Sequence, residues 1–168
     1  MANELLSQIP ENLSLLQTTK FTFVIPQLPF LKYFCQTVQL PGISTNEIVQ
    51  TTLFNDTYKF GSKVNFDPLT ITSLVDEDIR VWEETYQWMV YLANPVQFGQ
   101  FKNKFPSKFY DAILTLNTNA NNPNLRIKFK NCFPTSVGSI QFATTDNADV
   151  VPVLDISFRY DYFEIDRV

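Results

Sequence analysis

The side chains that most often carry enzymatic chemistry are scarce in this sequence. None of its 168 residues is histidine, which removes Ser-His-Asp and Cys-His catalysis and every His-ligated metal site. Carboxylate, thiol, hydroxyl and lysine chemistry remain. Cys35 and Cys132 stand far apart with no CxxC spacing, so neither a zinc site nor a disulfide framework is signalled and a buried, reduced pair is expected. The densest acidic run is Asp76, Glu77 and Asp78, followed by Glu83 and Glu84. The first three suit the positive end of a helix as N-caps, and the other two suit its solvated face. Arg126, Lys128 and Lys130 alternate with apolar residues, the pattern of the wet side of a half-buried strand. With four glycines in all and no glycine-rich phosphate loop, a nucleotide site is not indicated. The expectation is a protein without catalytic residues, metal or cofactor.

Composition bounds the rest. The length fits one domain, and 45% hydrophobic residues, including sixteen Phe and seven Tyr, supply ample surface for a core. A net charge of −4 disfavours tight binding of a phosphate backbone. The start of the chain, with Glu4 and no basic region before an apolar run, is unlike a secretory signal, and no stretch reaches the ~18 apolar residues of a membrane helix. A soluble, cytoplasmically made protein is expected.

The elements that must position these residues are mostly strands. Residues 1–18, with leucines around Pro10, read as an N-terminal arm, and residues 19–168 as a single β domain. Phe21, Phe23 and Ile25 alternate with Thr22 and Val24; a second strand spans Tyr33 to Leu40 and stops at Pro41-Gly42. The polar stretch from about 43 to 63 reads as a projecting hairpin, with turn formers and aromatics gathered in 54–63. Strand character returns from Val64 to Val75. A helix over about 77–93 follows, with Ile79, Trp82, Tyr86, Met89 and Ala93 as its core-packing stripe. A Phe-rich loop covers 96–107. Strands then follow at Phe109–Leu116, Leu125–Phe133 and Ile140–Ala143, and a last one places Leu154, Ile156, Phe158, Tyr160 and Tyr162 on one face. With no βαβ rhythm, the fold class is mainly β: an antiparallel β-sandwich or partial barrel with one helix.

The succession FTFVIP, YFCQTVQLPGIS, a polar hairpin, VNFDPLTITSLVDEDI leading into a helix, IKFKNCFPTSVG and FRYDYFEI resembles the tail tube proteins of contractile-tailed, myovirus-type bacteriophages over roughly residues 20–165. Most of the likeness lies in the strand-LPG-hairpin portion and in Asn131 to Gly138. The resemblance implies hexameric rings stacked into a hollow tube, with neighbouring sheets joined into a continuous inner β-barrel through which DNA leaves the capsid. It further implies a hairpin that reaches the adjacent ring, a sheath protein outside, baseplate and tail terminator proteins at the ends, and tape measure protein and DNA passing through the lumen. The protein would then sit in the virion tail after assembly in the host cytoplasm.

Several residue-level expectations follow from joining this resemblance to the pattern. Asp56, Tyr58, Lys59 and Phe60 are expected at ring-to-ring contacts, as aromatic and charged residues at a hairpin end. DNA must slide without sticking, so Arg126, Lys128 and Lys130 are expected to face away from the lumen, and Thr37, Gln39, Thr70 and Thr72 are candidates to face it. The nearest alternative is a baseplate protein of the same fold that initiates the tube or joins it to the hub. A more distant one is a monomeric ligand-binding β-barrel with aromatic side chains lining a pocket.

Overall fold

The computed structural model describes residues 14–93, 107–145 and 150–167. Most of the expected arm, nearly all of the Phe-rich loop, and Asp146 and Asp149 lie outside these residues. Nine strands and two helices are present among them: β1 (Phe21–Val24), α1 (Leu31–Phe34), β2 (Cys35–Gln39), β3 (Ile43–Thr51), β4 (Asp56–Phe66), β5 (Leu69–Leu74), α2 (Arg80–Leu92), β6 (Tyr110–Asn117), β7 (Pro123–Val137), β8 (Val153–Arg159) and β9 (Tyr162–Arg167). Every pairing is antiparallel. The main path runs β1-β6-β7-β8-β5-β2, with β9 also on β7, while β3 and β4 form a separate two-stranded sheet. The result is an open, mainly β architecture rather than a closed barrel.

Strand β7 belongs to both halves of the main sheet. Its first half lies between β6 and β9, and its second half pairs β8. The bend between them sits at Asn131, whose φ of 57° is left-handed, a conformation that asparagine tolerates better than most residues. Before the bend the odd residues Ile127 and Phe129 are buried; after it the even residues Cys132 and Pro134 are. The partner strand changes phase at the facing point, with Leu154, Ile156, Phe158 and Tyr160 buried but Phe163, not Tyr162, turned toward the core. What reads in the sequence as one last strand is therefore two, broken at Tyr160-Asp161, and Tyr162 lies on the opposite face from its expected partners.

Side chains hold this corner. Asn131 Nδ2 donates to Asp161 Oδ2 at 2.5 Å, the Asp161 backbone N–H donates to the Lys130 carbonyl at 3.0 Å, and the Asn131 N–H donates to Asp111 Oδ1 at 3.2 Å. Lys130 Nζ reaches the other oxygen of Asp111 at 2.7 Å. On the inner side, Phe129, Tyr160, Phe163 and Phe66 make edge and tilted ring contacts with centroids 5.0 to 6.2 Å apart, geometries that suit the ring quadrupoles. Tyr160 Oη donates to the Asp67 carbonyl at 3.0 Å and Arg159 Nη1 to the Phe66 carbonyl at 3.1 Å. Burial pushes the Tyr160 phenol up to about 12, so it stays a donor at neutral pH. The corner thus also grips the root of the β3–β4 ribbon.

Helix α2 closes the core from the other side, and its inward face differs from the expected one. Val81, Thr85 and Trp88 are the buried residues; Trp88 packs on Tyr110 and Phe158 and its Nε1 donates to the Lys108 carbonyl at 3.2 Å. Thr85 satisfies its hydroxyl on the Val81 carbonyl at 2.7 Å. The helix begins at Arg80 rather than 77, because the chain turns through a left-handed Ile79 with φ 50°. Asp76, one of the expected caps, accepts from the Arg80 N–H at 2.9 Å, supplying an acceptor for one of the orphan donors of the first turn.

Three further expectations are corrected. Residues 31–34 form a helical turn ahead of β2, not the start of a strand. Val64–Phe66 ends β4, and β5 is a separate strand from Leu69. Ile140–Ala143 is not a strand; its apolar side chains, Phe142 among them, border a groove instead of pairing.

Two predictions follow from the corner. Asn131→Ala should lower unfolding free energy by about 2 kcal/mol, from left-handed strain plus one lost hydrogen bond, whereas Asn131→Gly should cost less than Asn131→Ala; urea titration of both variants measures this. The hydrogen bond from Lys130 holds the Asp111 carboxyl below its ordinary value of 3.8. The stabilisation is therefore complete above that ordinary value and is lost as pH falls through the lower folded value. Asp111→Asn should be less stable than the wild type at pH 7, with the difference shrinking as pH falls below 3.8, as thermal melts across that range would show.

Candidate assembly surfaces

The β3–β4 ribbon is the largest departure from a self-sufficient fold. Every residue of β3 is exposed, as are most of β4. A two-stranded ribbon alone in water is marginal, so its composition matters. Cross-strand partners Glu47↔Phe60, Val49↔Tyr58 and Thr51↔Asp56 share one face, and Ile48↔Lys59 and Gln50↔Thr57 share the other. The first face carries Phe60 at 92%, Tyr58 at 65% and Val49 at 48% exposure. Of the four expected contact residues, Asp56, Tyr58 and Phe60 are thus brought together and Lys59 points the opposite way.

These four lie along β4, not at the hairpin end. The end is Thr52 to Asn55, where the Thr52 N–H donates to the Asn55 carbonyl at 3.1 Å and the Asn55 N–H to Thr52 Oγ1 at 3.3 Å. Leu53 and Phe54, 92% and 95% exposed, crown it. The sequence reading named neither as a contact residue; two adjacent large apolar side chains inside a polar turn were the available signal. Lower down, Gly61 is opposite a register shift, and a Cβ there would stand 2.3 Å from the Asn46 carbonyl oxygen. Only glycine fits that close approach.

A second surface is the outer face of the β7-β8-β5-β2 half. Thr37 pairs Thr72 and Gln39 pairs Thr70, and the next strand adds Asp155 opposite Thr72 and Ser157 opposite Thr70. All four expected lumen candidates therefore share one face. Thr72 Oγ1 donates to Asp155 Oδ1 at 2.7 Å. The reverse of this sheet carries Leu69, Ile71, Leu154 and Ile156, all buried. The face is mostly short and polar, with Asp155 and Arg159 as its charges and Val153 at its end.

Arg126, Lys128 and Lys130 occupy the other half of the main sheet, on its outer side, between β6 and β9. Their charges are largely matched. Lys128 Nζ lies 2.6 Å from Asp166 Oδ2, and Lys130 binds Asp111; Arg126 and Lys128 stand opposite Asp166 and Glu164. The Lys128 hydrogen bond holds the Asp166 carboxyl below its ordinary value. A stripe so engaged has little free charge for a phosphate backbone.

The helical stripe expected in the core forms a third surface. Ile79, Trp82, Tyr86 and Met89 line a groove of about 490 Å³ together with Val137 to Ile140 and Phe142. Trp82 and Tyr86 stack at 5.3 Å with ring planes 5° apart, and Tyr86 and Phe142 are 50% and 82% exposed. Helix α2 thus has a second apolar face that is only partly covered by the described residues: Trp82 still packs against the core while Tyr86 is exposed. Among the described residues no group of three His, Cys, Asp or Glu side chains could hold a metal ion, and no helix is long and apolar enough to cross a membrane. Burial pushes the Cys35 thiol up to about 11 and Cys132 up to about 12, which leaves both poor nucleophiles.

The chain is 23% identical over 156 residues to the tail tube terminator protein of Enterobacteria phage T4, covering 89% of this chain and 88% of that protein. Among solved structures it resembles a chain of the sheath-tube complex of the extracellular contractile injection system PVC, in its extended state (TM-score 0.59, 19% identity, 100% and 99% of the two chains). It also resembles a chain of the baseplate of the anti-feeding prophage (TM-score 0.65, 11% identity, 90% and 95% covered). At these identities the structural likeness is one of fold. The family described as phage tail tube protein matches residues 10–166, nearly the whole length, and this chain belongs to that family.

Proposed function

We propose that the chain is a ring-forming structural subunit of a contractile phage tail tube, built into hexameric rings that stack around a channel for DNA. The observation that carries this reading is the ribbon, which exposes apolar side chains along its strands and at its tip and, among the described residues, has no partner sheet. Its natural complement is another copy, since a closed or stacked assembly covers what the single chain leaves bare. The free edges of β1, β2 and β9 point the same way. An unpaired edge is an aggregation hazard that ring closure removes.

On this reading the Thr37, Gln39, Thr70 and Thr72 face lines the channel. Short neutral hydroxyls and amides let a phosphate backbone pass without the counterion release that would trap it. Arg126, Lys128 and Lys130 then face away, and DNA and the tape measure protein move through without tight binding. Because Trp88 contacts Phe158 on the opposite side of that sheet, helix α2 and its groove lie outward, toward the surrounding sheath protein. The protein is placed in the virion tail, assembled in the host cytoplasm.

A second reading has its own support. The T4 relative that matches this chain nearly end to end is named a tail tube terminator, so the chain could form the ring that closes the tube; a ring at the baseplate end is the third position the fold allows. Concentrated purified protein, imaged by negative stain and paired with subunit counting in the particle, separates these. A tube subunit should grow into long tubes and be among the most abundant virion proteins. Single rings and about one ring's worth of copies would favour a terminal position. A monomer that never forms rings at any concentration would end the structural reading.

A further inference from the structure

Ile79 departs from the local rules of its position. It is β-branched, yet its backbone is left-handed, with φ 50° and ψ 31°, a conformation disfavoured about tenfold against the right-handed one for such a side chain. It stands at the N-cap of α2, where extended backbone and a polar side chain are the rule, and its own side chain makes no capping bond. Asp76 supplies the acceptor instead, taking the Arg80 N–H at 2.9 Å.

Burial does not repay the strain. The Ile79 side chain is 37% exposed on the groove beside α2, and glycine or asparagine would hold the same backbone at little cost. Backbone outliers of this kind cluster at switch regions.

The surrounding backbone holds a second arrangement nearly formed. The Ile79 N–H donates to the Asp76 carbonyl at 3.0 Å, closing a turn, and the Ile79 carbonyl accepts from the Glu83 N–H at 2.9 Å, the first bond of α2. Between Asp76 and Leu92 only Ile79 has a positive φ. The sequence favours continuity, because Asp76 followed by Glu77 and Asp78 is a cap and an acidic first turn for a helix starting at residue 77. We propose that Ile79 is a strained hinge between β5 and α2, exchanging between the observed left-handed state and a right-handed state in which the Asp76–Ile79 turn joins the helix.

The contacts that oppose the second state are weak ones. Arg80 Nη2 lies 2.7 Å from Asp78 Oδ2, and its guanidinium sits 5.0 Å from the centre of the Phe30 ring. Residues two apart do not face each other on a helix, so joining the turn to the helix breaks the Asp78–Arg80 pair. Both partners are solvent-exposed, and a pair of that kind stabilises little. The strand side of the hinge is firmer, since β5 lies between β2 and β8 and the Val75 N–H donates to the Pro152 carbonyl at 3.1 Å. The motion therefore falls on α2. One consequence rests on the proposed assembly: Thr70 and Thr72 of β5 keep their place on the channel wall while the helix on the outer side shifts.

Amide exchange on the free, full-length chain tests the hinge. Val81 and Trp82 are the second and third residues of α2, whose N–H groups find no helical acceptor in a helix that starts at Arg80. The right-handed state gives them the Glu77 and Asp78 carbonyls. Ile79→Gly relieves the left-handed state and weakens the helical one, whereas Ile79→Ala keeps the strain and favours helix. The two amides should exchange at least about tenfold faster in Ile79→Gly than in Ile79→Ala, with the wild type close to Ile79→Ala, while Ile79→Gly has the higher melting temperature of the two variants. Exchange that is equal in the two variants, or slower in Ile79→Gly, overturns the hinge, because strain without motion raises the melting temperature alone. A lower melting temperature for Ile79→Gly overturns the strain itself. Wild-type protein that never assembles ends the tube reading and leaves the hinge standing.

Discussion

The rest of the structure depends on one bend, where Asn131 and Asp161 face each other across a long antiparallel ladder. At this point both strands shift phase by one residue, so that the apolar side chains on either side of the corner still turn inward. Without the shift, one half of the ladder would carry its core residues on its wet face. The left-handed Asn131, its bond to Asp161 and the Asp111–Lys130 pair hold the outside of the bend. The aromatic group of Phe129, Tyr160, Phe163 and Phe66 fills its inside. Pro134, awkward in most strands, is accommodated where the register shifts just beyond it.

From that bend come the surfaces that define the protein's role. Tyr160 and Arg159 tie down Phe66 and Asp67 at the foot of the ribbon, so the ribbon projects from a fixed base although every residue of β3 is exposed. The same ladder separates two outer faces of contrasting character: a basic stripe matched by Asp111, Glu164 and Asp166 on one half, and short hydroxyls and amides on the other. Among the described residues the ribbon, the strand edges and Tyr86 on the second face of α2 are left exposed. The chain that carries these features belongs to the phage tail tube protein family.

Much of this was legible in the sequence where local pattern decides structure. Period-two runs marked β1, β6, β7 and β8, and the threonine- and asparagine-rich stretch after Pro41-Gly42 marked the ribbon. The helix was legible, but its inward face was not. Ile79, Trp82, Tyr86 and Met89 make a stripe as regular as Val81, Thr85, Trp88 and Leu92, and the first looks more apolar because the second contains a threonine. Periodicity cannot say which stripe a neighbouring strand will cover. The break at Tyr160-Asp161 was hidden for a related reason: alternation continues through Tyr162 in the sequence, and only the bend in β7 reverses it. The exposure of Leu53 and Phe54 was not legible either, because two apolar side chains in a turn belong to no period that assigns them a face.

The central claim is that the two outer faces of the bent sheet have opposite fates in the assembled tail. A cryo-EM reconstruction of the intact particle at side-chain resolution tests it most directly. The account predicts Thr37, Gln39, Thr70 and Thr72 on the channel wall, with Arg126, Lys128 and Lys130 turned away from it. A channel lined by those three basic residues, or a particle in which this chain surrounds no channel, would contradict it.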